Sequence, residues 1–148
     1  MYNTPTMRVL AVDPGERFIG IALSDPTGTI ANPLTILRHR SKTRDAEAIL
    51  QLAQKHAVGC IVVGQATDAQ GRPTTLQARR AANLAAALRA RTTIPVVLWD
   101  ETGSTQAVRE AWSAMGVARR RKRRPDALAA TVILQSYLDS HPSPCAES

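Results

Sequence analysis

Met7-Arg8-Val9-Leu10-Ala11-Val12-Asp13-Pro14-Gly15 decides the reading of this chain, because a short apolar run stops there on an acid, a proline and a glycine. Such a run bounded by turn residues predicts a buried strand closed by a tight turn. Phe18 to Ser24 is a second β-rich stretch, ended by the turn residues Asp25-Pro26-Thr27-Gly28. Thr29 to Leu37 makes a third strand, and Pro33 inside it calls for an irregular or edge position, since proline cannot donate to a ladder. Three strands joined by tight turns form an antiparallel meander.

Further along, the period changes. Ala46, Ile49, Leu50 and Ala53 fall at helical spacing between Thr43 and His56, and Cys60 to Gly64 is a short buried strand. After a loop over Ala69 to Pro73, Thr74 or Thr75 can cap an alanine-rich helix reaching about Arg91. Ile94 to Trp99 is another apolar strand, ending at Asp100-Glu101. Ser104 can cap a helix with Val108, Ala111, Trp112 and Met115 on one face. A last helix runs from about Asp126 to Leu138, with Ala130, Ile133, Leu134 and Tyr137 facing inward. The order β-β-β-α-β-α-β-α-α predicts an α/β fold built on one mixed five-stranded sheet, an antiparallel meander plus two parallel strands, with helices on its faces.

With 148 residues, 44% of them hydrophobic, the chain suits a single domain over residues 7–140, and residues 1–6 and 141–148 read as flexible tails. No apolar run approaches a membrane span, and the start is polar and unlike a secretory signal. Cys60 is expected buried and inert, and Cys145 lies in a polar tail. No disulfide is expected between them, so the reading is cytoplasmic.

The net charge of +7 is concentrated in one place. Arg119-Arg120-Arg121-Lys122-Arg123-Arg124 is six cations in succession, and without them 13 basic residues face 12 acidic ones. Like charges repel, so this segment is expected to be an exposed loop. Either it is merely solvated, or it docks on a polyanion and releases counterions, which brings affinity without base specificity. A membrane-surface arm is disfavoured because no amphipathic helix with bulky apolar residues adjoins the run.

Open α/β sheets bind ligands beyond the carboxyl ends of their strands. Asp13 follows the first strand there, Asp100 and Glu101 follow the last, and Asp126 opens the final helix. Gathered carboxylates suit a hard divalent cation such as Mg²⁺, and metal ions at such a site stabilise the attacking and leaving oxygens of a phosphodiester. Each acid also has a plainer role: Asp13 in a turn, Asp126 as a helix cap, Asp100 and Glu101 as a polar strand end. Other chemistries lack their residues. His39, His56 and His141 are scattered without zinc-ligand spacing, and no phosphate-binding loop or nucleophile elbow is present. Five aromatics in the whole chain are too few for a base-stacking platform.

The same residues carry a family resemblance. Leu10-Ala11-Val12-Asp13-Pro14-Gly15 with Arg17-Phe18-Ile19-Gly20-Ile21-Ala22-Leu23-Ser24-Asp25 resembles the opening of the YqgF (RuvX) family of Holliday-junction-resolvase-like proteins. The likeness continues through Ile61-Val62-Val63-Gly64, the loop with Gly71, Trp99-Asp100-Glu101 with Ser104-Thr105, and Pro125-Asp126-Ala127-Leu128-Ala129-Ala130, so it spans about Met7 to Leu138. It implies a ribonuclease-H-like fold and a nuclease dependent on Mg²⁺ or Mn²⁺. The implied task is processing the 5′ end of precursor 16S ribosomal RNA in the pre-ribosomal particle, with Holliday-junction resolution as the alternative. By motif, Asp13, Glu101 and Asp126 are the implied catalytic metal ligands, with Asp100 in support. Arg17 and Arg119 to Arg124 are assigned to nucleic-acid contact, and the protein is expected to be a monomer or weak homodimer. Two segments depart from the family pattern: Thr102-Gly103 replaces an arginine and an apolar residue, and Gln65-Ala66 replaces Leu-Pro after Gly64. A non-catalytic nucleic-acid-binding factor on the same fold is therefore a second hypothesis. A sugar-kinase or actin-like ATPase half is a third, for which the chain is too short to form two lobes.

Overall fold

In a computed structural model, residues 7–15, 17–65, 76–100 and 127–141 are described. The elements are β1 (Arg8–Pro14), β2 (Phe18–Ser24), β3 (Ala31–Arg38), α1 (Lys42–Lys55), β4 (Val58–Gln65), α2 (Leu76–Arg89), β5 (Val96–Asp100) and α3 (Leu128–Ser140). The sheet order is β3-β2-β1-β4-β5. β1–β2 and β2–β3 pair antiparallel, while β1–β4 and β4–β5 pair parallel. This is the expected mixed sheet. The helix expected after Ser104, the loop over Ala69 to Pro73, the cationic run and the stretches 1–6 and 142–148 lie outside the described residues.

The alternation of strand side chains divides the core into two layers. Leu10, Val12, Ile21, Ile61 and Val63 pack with Ile49 of α1 and Leu88 of α2 on one face. Val9, Ala11, Cys60 and Val62 meet Ile133, Leu134 and Tyr137 of α3 on the other. Each of the larger aliphatic chains buried in these layers contributes about 1.5–3 kcal/mol. The inward positions expected on the last helix, Ala130, Ile133, Leu134 and Tyr137, are all buried.

Pro33 behaves as its chemistry requires. β3 is at the sheet edge, and its register slips between Ile21↔Thr35 and Ala22↔Pro33, so one extra residue on β3 is accommodated beside the proline. Three expectations are corrected. β1 continues through Asp13 and Pro14, which pair with Gly20 and Ile19, so Asp13 belongs to the strand and not to the turn after it. His141, assigned to a loose tail, caps α3 and stacks on Tyr137 with ring centroids 4.1 Å apart. Cys60 is fully buried but its sulfur is disulfide-bonded, so the cysteines no longer argue for a reducing compartment.

The turn after β2 is held by one carboxylate. Asp25 Oδ1 accepts from the Thr29 and Ile30 N–H groups at 2.8 Å each, and Oδ2 accepts from the Thr27 N–H at 3.3 Å and from the Thr27 hydroxyl. Gly28 supplies the left-handed conformation at φ 73° that closes the turn. The Ile30 N–H first, then the Thr27 hydroxyl and the Thr29 N–H, hold the Asp25 carboxyl well below the usual carboxylate range. A folded-state pKa below the unfolded one means stabilisation present above about pH 4 and lost as pH falls through the folded value. Asp25→Asn is therefore expected to lower the urea midpoint at pH 7, with the gap to wild type narrowing as the pH is taken below 4.

Gly64 lets α3 approach the sheet. A Cβ built there would lie 2.5 Å from Ile133 Cδ1, the far end of a flexible side chain. Gly64→Ala is expected to cost about 1–2 kcal/mol. Ile133→Val in the same chain removes the clashing methyl, so the double variant should be less destabilised than the sum of the two changes, as measured by denaturant unfolding.

Candidate nucleic-acid-cleaving site

Because β1, β4 and β5 run parallel, their carboxyl ends form one edge, and that edge is where the proposed acids fall. Asp13 shares the face of Val9 and Ala11, the face that α3 covers, and its side chain is half-buried. Its carboxylate is held within the strand rather than on a mobile turn, which suits a metal ligand better than the turn position the sequence suggested. Asp100 closes β5, and its backbone pairs with Gln65 of β4, so two strand ends carrying acids lie on either side of the end of β4.

α3 is oriented toward the same edge. Its Ile133 lies over Gly64, near the carboxyl end of β4, while Gln135 reaches the opposite end of the sheet. There the Gln135 side-chain oxygen accepts from the Ala31 N–H at 2.9 Å, and its amide donates to the Thr29 carbonyl at 3.0 Å. The amino end of α3 is therefore at the acidic edge. Its N-cap is Ala127, and Asp126, which precedes it and was weighed as a cap, lies outside the described residues. Trp99 of β5 donates through Nε1 to Ser136 Oγ at 3.3 Å and meets Tyr137 edge-on at 5.4 Å, tying α3 to the end of β5.

Glu101, Asp126 and Arg119 to Arg124 lie outside the described residues. Arg17 is exposed in the β1–β2 turn, and its carbonyl accepts from the His39 N–H at 2.8 Å, tying that turn to the end of β3. Among the described residues no group of three or more His, Cys, Asp or Glu side chains gathers as a metal site. The described part thus supplies one half-buried oxygen donor, Asp13, and places the backbone of Asp100 two strands away at the same edge. Oxygen donors of this kind fit Mg²⁺ or Mn²⁺ and do not fit a soft-ligand metal.

Residues that the sequence did not single out also converge here. Pro14 and Gly15 line a cavity of about 300 Å³ together with Ile19, His39, Ser41, Lys42, Asp45, Arg80, Asn83 and Leu84. His39 Nδ1 lies 2.5 Å from Asp45 Oδ2, and Asp45 Oδ1 accepts from the Arg40 N–H at 3.0 Å. Histidine spacing alone gave no hint of this pair, because the partner is a carboxylate on the next helix rather than a metal.

Comparison with known proteins agrees with the geometry. The family described as "RuvX: Holliday junction resolvase" matches residues 7–140. A protein named "Putative pre-16S rRNA nuclease" from Caldanaerobacter subterraneus subsp. tengcongensis is 41% identical over 136 residues, covering 90% of this chain and 97% of that protein. One of the same name from Thermoanaerobacter pseudethanolicus is 38% identical over 138 residues, covering 90% and 97%. Among solved structures, Thermus thermophilus RuvC in complex with a Holliday junction substrate superposes with a TM-score of 0.65 at 16% identity, covering 95% of this chain and 98% of that one. At that identity the likeness speaks for the ribonuclease-H-like fold. Among the described residues no helix is long and apolar enough to cross a membrane.

Proposed function

Because this chain belongs to the RuvX family, whose description is Holliday junction resolvase, we propose that it is a metal-dependent endonuclease that hydrolyses structured nucleic acid, with the 5′ leader of precursor 16S rRNA as substrate. The observation that carries the reading is the Asp13 carboxylate, half-buried at the end of β1 on the edge shared with β4, β5 and the start of α3. Relatives named as pre-16S rRNA nucleases, covered over nearly their whole length, support the choice of RNA. The pre-ribosomal particle is then the partner and the cytoplasm the place of work.

Asp13, Glu101 and Asp126 would hold Mg²⁺ or Mn²⁺, with Asp100 in support. A bound divalent ion supplies a nucleophilic water near neutral pH and offsets the charge that builds on the phosphoryl oxygens. The rest falls to the chain. Asp13 is positioned by the β1 ladder, with Val12 paired to Ile21 and Val63 on its two sides, so the donor does not have to be ordered when substrate arrives. Arg17 and the run Arg119 to Arg124 would meet backbone phosphates and set the register of the strand without reading its bases. In the net step a water oxygen bonds to phosphorus and the bridging P–O bond breaks. The proton lost by the water is balanced by one taken up by the departing sugar oxygen, leaving a phosphate end and a hydroxyl end.

The test is incubation of the pure protein with a precursor 16S 5′ leader and with a four-way DNA junction, each with and without Mn²⁺. Metal-stimulated cleavage of the leader is expected. The family description favours junction resolution as the second reading, and preferential cleavage of the junction by a dimeric protein would replace RNA with DNA as substrate. Salt-sensitive binding with no turnover under any divalent ion would instead establish a non-catalytic factor.

A further inference from the structure

We propose that the cavity on the other side of β1 from Asp13 is a backbone-phosphate subsite, in which Lys42 and Arg80 hold the nucleic-acid strand whose bond is cut at the Asp13 edge. The proposal rests on the nuclease reading for its substrate, and on the cavity itself for its place and chemistry. Pro14 and Gly15, which follow Asp13 directly, form one wall. Pro14 has the opposite strand parity to Asp13, and Ile19 and Leu84 belong to the core layer of α1 and α2. Acid and cavity are therefore separated by little more than the thickness of one strand, and a polynucleotide crossing the edge of β1 can meet both.

The polar lining is that of an anion site. Lys42 opens α1 and is exposed, while Arg80 and Asn83 are one turn apart on α2, so two cations and an amide converge from different elements. Asp45 is the acid in the lining, and it is already engaged. It is 5% exposed, faces His39 Nδ1 at 2.5 Å and accepts from the Arg40 N–H. Among the described residues Asp45 faces only His39 at salt-bridge distance, and neither Lys42 nor Arg80 has a carboxylate partner. The Ser41 oxygen accepts from the Arg44 N–H at 3.1 Å, which leaves its hydroxyl hydrogen for a ligand. A volume of about 300 Å³ equals roughly ten waters at ~30 Å³ each, ample for a phosphodiester with part of its sugars.

His39–Asp45 acts on this site by position. Asp45 fixes the imidazole, and the His39 N–H donates to the Arg17 carbonyl, so the β3–α1 connection that presents Ser41 and Lys42 is tied to the β1–β2 turn beside Asp13. Lys42 and Arg80 are positioning residues: they hold the strand, and hydrolysis takes place across β1.

The experiment measures binding of a labelled precursor 16S leader RNA over a range of salt, with Ca²⁺ in place of Mg²⁺ or Mn²⁺, for wild type and for Lys42→Gln/Arg80→Gln. Each lost phosphate contact lowers the salt slope by about 0.7–0.9, so the double variant should lose about 1.4–1.8 in slope and roughly tenfold in affinity. Lys42→Arg/Arg80→Lys should restore both. Lys55→Gln/Arg91→Gln removes the same charge from exposed residues where α1 and α2 end, at the opposite edge of the sheet, and should leave the slope near that of wild type. An unchanged slope in the cavity variant, or an equal loss in the opposite-edge variant, overturns the proposal. Inorganic phosphate titrated at millimolar concentration, followed by the amide shifts of Gly15 and Lys42, tests the other source of the anion. If it saturates the cavity while RNA affinity ignores the substitutions, the cavity is a free-anion site and the proposal fails. Cavity-dependent binding without cleavage under any metal would sink the nuclease reading and leave the subsite standing. Cleavage with cavity variants unimpaired would do the reverse.

Discussion

Asp13→Ala is expected to lower Mn²⁺-dependent cleavage of the precursor 16S leader by about 10³-fold while the protein stays folded. The size follows from the chemistry proposed for the site. A metal ion held at a phosphoryl group contributes several kcal/mol to stabilising the transition state, and about 4 kcal/mol corresponds to roughly three powers of ten in rate. The fold should survive because Asp13 is half-buried near the end of β1, and Val9 to Val12, which fill both core layers beside it, are untouched. Single-turnover cleavage at saturating protein, with a thermal melt of the same sample, separates the two effects. Asp13→Asn keeps the size and loses the charge, so it should share the defect. Cleavage within tenfold of wild type in either variant would refute Asp13 as a metal ligand. A defect accompanied by unfolding in Asp13→Ala but not in Asp13→Asn would leave the asparagine variant to decide the role.

Gly15→Ala is expected to be the most destabilising of the small substitutions near the site, by about 3 kcal/mol. The added Cβ would stand 2.3 Å from the carbonyl oxygen of Phe18, a backbone atom at the start of β2 that cannot swing aside like a side chain. Relief requires opening the β1–β2 turn, and the pairs nearest that turn are Pro14↔Ile19 and Asp13↔Gly20. For a domain of about 150 residues the loss amounts to roughly 6–12 °C in Tm. Gly64→Ala is the natural comparison, since its added Cβ meets only the end of Ile133 and can be accommodated. Equal melting temperatures for Gly15→Ala and wild type would show that the turn yields freely. Because the same turn adjoins the strand end that holds Asp13, and Gly15 lines the phosphate cavity, residual folded Gly15→Ala should also bind RNA more weakly.

Much of this architecture is legible in the chain because it depends on short-range patterns. Apolar runs closed by Asp-Pro-Gly and Asp-Pro-Thr-Gly locate β1, β2 and their turns, and the bounds of β2 agree residue for residue. Pro33 announces an edge strand because its missing N–H excludes it from the middle of a ladder. The inward face of α3 follows from helical spacing alone. Boundaries are less well marked: β1 runs two residues beyond its apolar segment, since pairing with Ile19 and Gly20 outweighs the turn preference of Asp13 and Pro14. Of the candidate site, the motif resemblance named the acids, and the structure brings Asp13 and the end of β5 to one edge. His141 looked like tail because nothing near it in sequence reveals that Tyr137 and Trp99 stand ready to pack with it.

By itself, then, the sequence determined the sheet class, the order of elements and the meander, all of which rest on periodicity and local turn chemistry, while Asp13 was singled out by the motif it shares with the family. Tertiary structure decided the rest. It set Asp13 inside the ladder, turned the amino end of α3 toward it, and brought Lys42 and Arg80, 38 positions apart, to one cavity beside Pro14 and Gly15. The physical reason is that parallel pairing of β1 with β4 makes helices cross between strands. That crossing fixes which residues meet at the carboxyl edge, through contacts that no local pattern encodes.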